Sequence, residues 1–403
     1  MRGSDAPGWS SALSATEAAK ALRDGAYLPS EYVRDVLASA VSRNPEHRAF
    51  VEIYAEQALR DAGVSDRRLA RGAGRPLEGV AFAVKDVIDV KGHRTQGASQ
   101  STAADGVASA DAEVVTQLRD NGAVLVGKLA LEELGIGPTV EDSGAQRPVN
   151  PWNPDNSTGG SSSGCAVAVA TGLVPIAIGT DTAGSIRLPA AHCGIVGFKP
   201  SYDAVSRRGT VSLSPTLDHI GIATRNARDA ELVLRSVCAD ARERDAIGSG
   251  TSLDAAHIGV VDFARSNPAL VDAEVSDAVA DVVSVLRAHA AHVDQATLAS
   301  LHTYQECGST ILTAPTPIAI LGPPHAPVHL PTPIIGFQNA DRGLHACACA
   351  STRFDRGLRS HPERLRCVGD GYDPAPSWSG VRCRHFRRHF RRHFVHVVTA
   401  DAV

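Results

Sequence analysis

The sequence predicts an α/β protein in which helices pack over a central sheet. Two observations predict it. Segments with helical apolar spacing alternate with short, continuous apolar runs through most of the first 300 residues, and those runs end at Gly-rich or polar loops. The chain is also long enough to bury a sizeable core, with 403 residues of which 43% are hydrophobic.

The elements follow in order. Ser14 and Glu17 form a capping box ahead of Ala18, Ala21 and Leu22, and Gly25 stops that helix. A second helix runs from about Ser30 to Val41, where Tyr32, Val33, Val36, Leu37 and Ala40 make one apolar stripe. Val80 to Ile88 reads as a buried strand interrupted by Lys85 and Asp86, ending at a functional loop. A helix at Asp111 to Asn121 leads to a strand at Ala123 to Gly127. Gly164 to Thr171 is a helix before a strand in Leu173 to Gly179, and the strand Ile258 to Asp262 precedes a helix at Ala273 to His289. We expect an N-terminal helical segment (1–70), a catalytic core (71–300) and an atypical C-terminal segment (301–403).

Bulk properties narrow the function. A formal net charge of −4 gives no overall signal for nucleic acid or an anionic membrane. The longest apolar run, Cys165 to Gly179, is broken by Thr171, Gly172 and Pro175 and is too short to span a bilayer. Met1 to Leu13 lacks the apolar core of a secretion signal, and the eight Cys show no disulfide-like spacing. The expectation is a soluble cytoplasmic protein.

Two segments carry candidate chemistry. Ser157-Thr158-Gly159-Gly160-Ser161-Ser162-Ser163-Gly164 is a Gly/Ser loop opening onto an apolar helix. Gly179-Thr180-Asp181-Thr182-Ala183-Gly184-Ser185-Ile186-Arg187 follows the strand. Small residues let the chain turn tightly and bring N–H groups close to a reacting atom. A serine hydroxyl needs a base, and Lys85 in its apolar strand is the candidate, because burial disfavours a lysine's charge. Each piece alone has an ordinary reading: a plain turn or phosphate cradle for the loop, a surface lysine at a strand end for Lys85. The loop lacks the Gly-Lys-Ser/Thr ending of a P-loop. Gly160-Ser161-Ser162-Ser163-Gly164 matches a nucleophile elbow at Ser162, but Asn150 to Asn156 cannot supply the strand an elbow requires. His192, Cys165 and Cys193 read as packed residues.

In combination and order, Lys85, the Gly-Gly-Ser-Ser loop and Asp-Thr-Ala-Gly-Ser-Ile-Arg resemble the amidase signature family. Gly79 to Asp86, Gly194 to Pro200 and Leu213 to Gly221 add to the likeness, which covers about residues 12 to 300, and Ser161 and Ser185 stand 24 residues apart as in the family. The resemblance implies a central mixed β-sheet covered by helices on both faces. It implies Ser185 as nucleophile, Ser161 on a cis peptide bond as relay and uncharged Lys85 as base. The oxyanion would be held by N–H groups of Thr182, Ala183, Gly184 and Ser185. Ser162 and Thr180 would support the relay, and Asp181 would brace the loop. Arg187 is left between a substrate carboxylate and a structural ion pair. No metal or organic cofactor is implied. The partner implied is a small-molecule amide, with no nucleic acid or membrane, and a homodimer stays open. Ala183 stands where many members have Gly, as in relatives acting on small urea-derived substrates. The same signature is shared by small-molecule amidases and by the glutamine-hydrolysing A subunit of a tRNA-dependent amidotransferase.

Beyond residue 300 the family pattern of further helices and a returning strand is not found, so the fold reads as incomplete at the C-terminus. His345-Ala346-Cys347-Ala348-Cys349 places ligands too close together for a tetrahedral metal site. The run His385 to Phe394 reads as a low-complexity tail. A segment translated out of its usual frame is one account of the break, and an intact site on a damaged, poorly active scaffold would follow from it. The coding DNA tests this: no family-like C-terminus in either other frame excludes it.

Overall fold

The structure, a computed structural model, describes residues 13–99, 106–136, 147–248, 252–261, 271–290, 292–296 and 301–313. The segment 314–403, with its Cys/His cluster and His/Phe/Arg run, lies outside the described residues.

Helix α1 (Ala15–Arg23) begins with the capping box: Glu17 N donates to Ser14 Oγ at 3.3 Å, and Ser14 N donates to Glu17 Oε2 at 2.8 Å. Its end is stopped as expected, with Gly25 at φ 72° just past the cap. Helix α2 (Pro29–His47) buries the expected stripe but runs six residues further than the stripe indicated, through Pro45. Strand β1 (Phe50–Ile53) and helix α3 (Ala55–Leu69) have no counterpart in the sequence reading. The reason is physical. β1 buries little beyond Phe50, and α3 fully buries only the small residues Ala58, Ala62 and Ser65, which leaves its apolar stripe of Ala55, Ala58, Leu59, Ala62 and Leu69 poor in large side chains.

The core strands follow. β2 (Ala81–Lys85) is wholly buried, as its unbroken apolar run demands of a strand covered on both faces. Helix α4 (Glu113–Asp120) returns the chain to β3 (Val124–Leu129), and α5 (Ser163–Ala170) leads to β4 (Ile176–Asp181). β4 starts later than its apolar run suggests, because Leu173 to Pro175 form the connection and Thr180 and Asp181 pair on as strand. Helix α6 (Arg187–Cys193), β5 (Val196–Phe198), β6 (His219–Thr224) and helix α7 (Ala227–Val237) complete this unit.

The six strands lie in the order β1-β3-β2-β4-β6-β5. β2 is parallel to both β3 and β4, whereas β1 and β6 run antiparallel to their neighbours, so the sheet is mixed. The crossover β2-α4-β3 moves one way across the sheet and β3-α5-β4 the other. Right-handed crossovers in opposite directions place α4 and α5 on opposite faces, which is why the sheet is covered on both sides. Close approach on the α5 face needs Gly164: a Cβ there would fall 2.6 Å from the Ala130 backbone. The N-terminal helix docks onto α7, where Thr16 donates through N (2.8 Å) and Oγ1 (2.7 Å) to the buried Asp229.

Further along, α8 (Ala241–Ala246) precedes β7 (His257–Val260), α9 (Ala273–His289) and β8 (His292–Gln295), and β7 and β8 form a separate two-stranded parallel sheet. The last described helix is α10 (Leu301–Thr313). Among the described residues no helix is long and apolar enough to cross a membrane.

Candidate active site

The parallel trio β3-β2-β4 brings the candidate residues together. β2 delivers Lys85 at its C-terminal end, and β4 runs alongside it to present Thr180 and Asp181 one turn of chain before Ser185. This is the edge at which ligands gather in sheets of parallel strands. Lys85 is fully buried, and its Nζ donates to Ser161 Oγ at 2.8 Å and to Thr180 Oγ1 at 2.9 Å.

Ser161 follows a cis Gly160–Ser161 peptide bond and is buried. Ser162 stands at the start of α5 without capping it. Its Oγ instead donates to the Thr180 carbonyl at 3.1 Å, and its N–H donates to the Ser185 carbonyl at 3.0 Å. Ser162 therefore ties the Gly/Ser loop to β4 and to the Ser185 turn. No strand precedes it, so the nucleophile-elbow reading fails on the observed backbone.

The Ser185 turn is braced from below. The buried Asp181 carboxylate accepts Gly184 N (2.9 Å), Ile186 N (3.3 Å), and Arg187 Nε and Nη2 (both 2.9 Å). This bears on two expectations. The Gly184 N–H is engaged by Asp181, so the N–H groups open to an oxyanion are those of Thr182, Ala183 and Ser185, which make no hydrogen bond among the described residues. Of the two readings of Arg187, the structure shows the ion pair, because a bidentate fork fits one carboxylate at a time. Gly184 has φ 111°, which a side chain strongly disfavours, while Ala183 is outside the left-handed region. Alanine is thus accommodated at the first position of the pair and glycine is needed at the second. Ser185 is half-buried, and its Oγ makes no hydrogen bond among the described residues. Its link to the Ser161 loop is the backbone contact through Ser162; side-chain contacts of this kind commonly tighten only with substrate present.

Burial pulls the Lys85 ammonium down to about 8, against the opposing charges of Glu132, Asp181 and Asp218. Burial works to raise the Asp181 carboxyl, but the Arg187 hydrogen bonds and charge, with the two N–H donors, outweigh it and hold it low. Cys165, buried on α5 with its Sγ toward the Ile178 carbonyl, is pushed up to about 12 by burial and stays a neutral thiol, and Cys193 is likewise buried. His192 departs from expectation. It is exposed at the end of α6 with Nδ1 against the Ser157 carbonyl (3.1 Å), because the core side of that helix is filled by Pro189, Ala190 and Cys193.

Three residues at the site escaped the sequence reading. Asp218 accepts Thr182 Oγ1 at 2.6 Å together with Ser212 Oγ, Leu213 N and Ser214 N, and so anchors the start of the turn. It stands in the Leu213 to Gly221 stretch, where only the family likeness marked it. Glu132 and Gly135 come from the loop after β3. A Cβ on Gly135 would lie 3.5 Å from Ser161 Oγ and 3.8 Å from Lys85 Nζ. No local pattern distinguishes that loop.

Comparisons with known proteins bear on the family and the fold. The family model described as Amidase matches residues 31–317. The A subunit of the glutamyl-tRNA(Gln) amidotransferase from Roseiflexus sp. (strain RS-1) is 43% identical over 225 residues, 56% of this chain and 46% of that protein. The protein of the same name from Anaeromyxobacter sp. (strain K) is 35% identical over 369 residues, 89% of this chain and 73% of that protein. Several of the curated relatives are thus matched over less than half of their own length. Among solved structures, native peptide amidase from Stenotrophomonas maltophilia aligns with a TM-score of 0.65 at 28% identity, covering 74% of this chain and 65% of that one. The 6-aminohexanoate cyclic dimer hydrolase bound to its substrate aligns with a TM-score of 0.66 at 29% identity, covering 74% of this chain and 64% of that one. With the family model spanning well over half of the sequence, and with the mixed sheet and the fold of solved amidases shared, the chain belongs to the amidase family, whose members hydrolyse amide C–N bonds.

Proposed function

We propose that this chain hydrolyses a carboxamide to a carboxylate and ammonia through an acyl-enzyme on Ser185. The observation that carries the reading is the contact of a fully buried Lys85 Nζ with Ser161 Oγ at 2.8 Å, beside the turn that presents Ser185. Once Lys85 has lost its proton, its lone pair accepts the Ser161 hydroxyl proton while Ser161 Oγ accepts that of Ser185. Ser185 Oγ bonds to the carbonyl carbon, and the N–H groups of Thr182, Ala183 and Ser185 meet the developing oxyanion. One such donor is worth about 3 kcal/mol in the transition state. As the C–N bond breaks, the proton held on Lys85 returns through Ser161 to the leaving nitrogen. Water, activated by the same relay, then hydrolyses the ester. Thr180 holds Lys85 in register, Ser162 fixes the two loops together, and Asp181 with Arg187 braces the turn.

A second reading is favoured by the amidotransferase names of the relatives: glutamine as the amide, with partner subunits and tRNA required in the working assembly. In either case the free thiols among the described residues suit a cytoplasmic protein. The experiment is to incubate the purified chain with a fluorophosphonate and record intact mass, beside Ser185→Ala, then to assay ammonia release from glutamine and from simple carboxamides. A single adduct absent in Ser185→Ala supports the serine mechanism. Ammonia from carboxamides other than glutamine, with no partner present, supports the stand-alone amidase over the amidotransferase component. A folded wild-type chain with no adduct overturns both and leaves the inactive, damaged-scaffold reading.

A further inference from the structure

The relay leaves one problem open: Lys85 must carry a positive charge in a fully buried place once it has taken the nucleophile's proton. The acidic and titratable groups around it come from every neighbouring element. Asp181 on β4 has its charge met by Arg187. Asp218, before β6, is engaged by the Thr182 and Ser212 hydroxyls and by two N–H groups. The Cys165 thiol on α5 stays neutral. The fourth group is Glu132, just beyond β3, whose charge also favours the protonated form of Lys85.

Glu132 is 3% exposed. Its carboxyl lies directly against Gly160, since a Cβ built there would be 2.8 Å from Cδ and from Oε2. Its carbonyl accepts Gly135 N at 2.8 Å, and Gly135 is the residue that faces both Ser161 Oγ and Lys85 Nζ. Glu132 thus touches the relay from two sides: the side chain backs the cis-bonded Gly160–Ser161 unit, and the backbone holds the turn that closes over it. We propose that Glu132 is the positioning residue of this site, its buried carboxylate seating the Ser161 loop and supplying the negative charge that balances Lys85 when it is protonated. Gly at position 160 is then required because the carboxylate occupies the space of a side chain. The inference rests on reading Lys85 as the base, but its test does not need turnover.

The sequence makes that test clean, because it contains only five lysines: Lys20, Lys85, Lys91, Lys128 and Lys199. The full chain is labelled with [13Cε]lysine and titrated by NMR, with Lys85→Met identifying the Lys85 signal. In Glu132→Gln, which keeps shape and removes charge, the Lys85 midpoint should fall by roughly half to one on the pH scale. In Glu132→Asp it should stay closer to wild type, and Lys20 and Lys91 should not move. The pH at which fluorophosphonate labelling of Ser185 reaches half its maximum should fall with the NMR midpoint. If Glu132→Gln does not fold, Glu132→Ser, which likewise removes the charge, supplies the same comparison. An unmoved Lys85 midpoint in a folded variant overturns the proposal. A midpoint that moves in a chain whose Ser185 never labels would keep the electrostatic role of Glu132 and reject the hydrolytic reading instead.

Discussion

Arg187 grips Asp181 with Nε and Nη2, each at 2.9 Å, and the same carboxylate accepts the N–H of Gly184 and of Ile186. One ion pair, with its carboxylate fully buried, therefore shapes the turn on which Ser185 stands. Arg187→Lys replaces a planar fork by a point charge and cannot keep both contacts. It should slow Ser185 acylation at least tenfold with little change in KM, and leaving Asp181 under-paired should cost about 3 kcal/mol of stability. Stopped-flow labelling beside urea unfolding measures both. A rise in KM confined to substrates with a carboxylate would show that Arg187 binds substrate instead.

With Lys85 as the proposed base, its protonation governs the pH dependence expected of Ser185 labelling. Its ammonium is pulled down to about 8, and only the neutral amine can take the proton. The rate of Ser185 labelling should rise with pH through a midpoint near that value and then level off, with Thr180→Val shifting the midpoint further down by removing an acceptor of the ammonium. A flat profile from pH 6 to 9 in the wild type excludes Lys85 as the base.

The same burial has a consequence for folding. The folded-state value lies below that of the unfolded chain, so between about 8 and the ordinary lysine range the unfolded state binds more protons and stability rises with pH. Below about 8 the penalty for burying the charge is present in full. Lys85→Met should therefore stabilise the chain at pH 7, by on the order of 1–3 kcal/mol once the lost hydrogen bonds are counted, and the gain should shrink above pH 8. Unfolding curves at pH 7 and pH 9.5 give the comparison.

The two small residues before Ser185 should respond unequally. Gly184→Ala forces a side chain into φ 111° and should slow acylation while lowering stability by about 1–2 kcal/mol. Ala183→Gly should fold and label nearly as wild type. Equal losses in both variants would contradict the assigned backbone geometry.

Much of this was legible along the chain because its physics is local. The β2 run Ala81 to Val84 is apolar throughout and ends at Lys85, the capping box of α1 sits within four residues, and the two Gly/Ser segments keep their order and spacing. Helix α3 and strand β1 were missed: β1 offers a single buried phenylalanine, and the stripe of α3 is made mostly of alanines with few large apolar side chains. The Cys and His residues of the segment 314–403 fall outside the described part.

The sequence by itself determined the α/β class, the family likeness and the identity of Lys85, Ser161 and Ser185 as candidates, since these depend on residue type, order and local periodicity. Only the tertiary structure decided which groups meet. That Asp181 engages the Gly184 N–H and holds Arg187, that Asp218 anchors Thr182, and that Glu132 lies against Gly160 all depend on contacts between strands and loops. The physical reason is that hydrogen bonds and buried charges are settled by distances across the sheet edge, between residues as far as 95 apart in the case of Lys85 and Thr180. Spacing along the chain does not encode those distances.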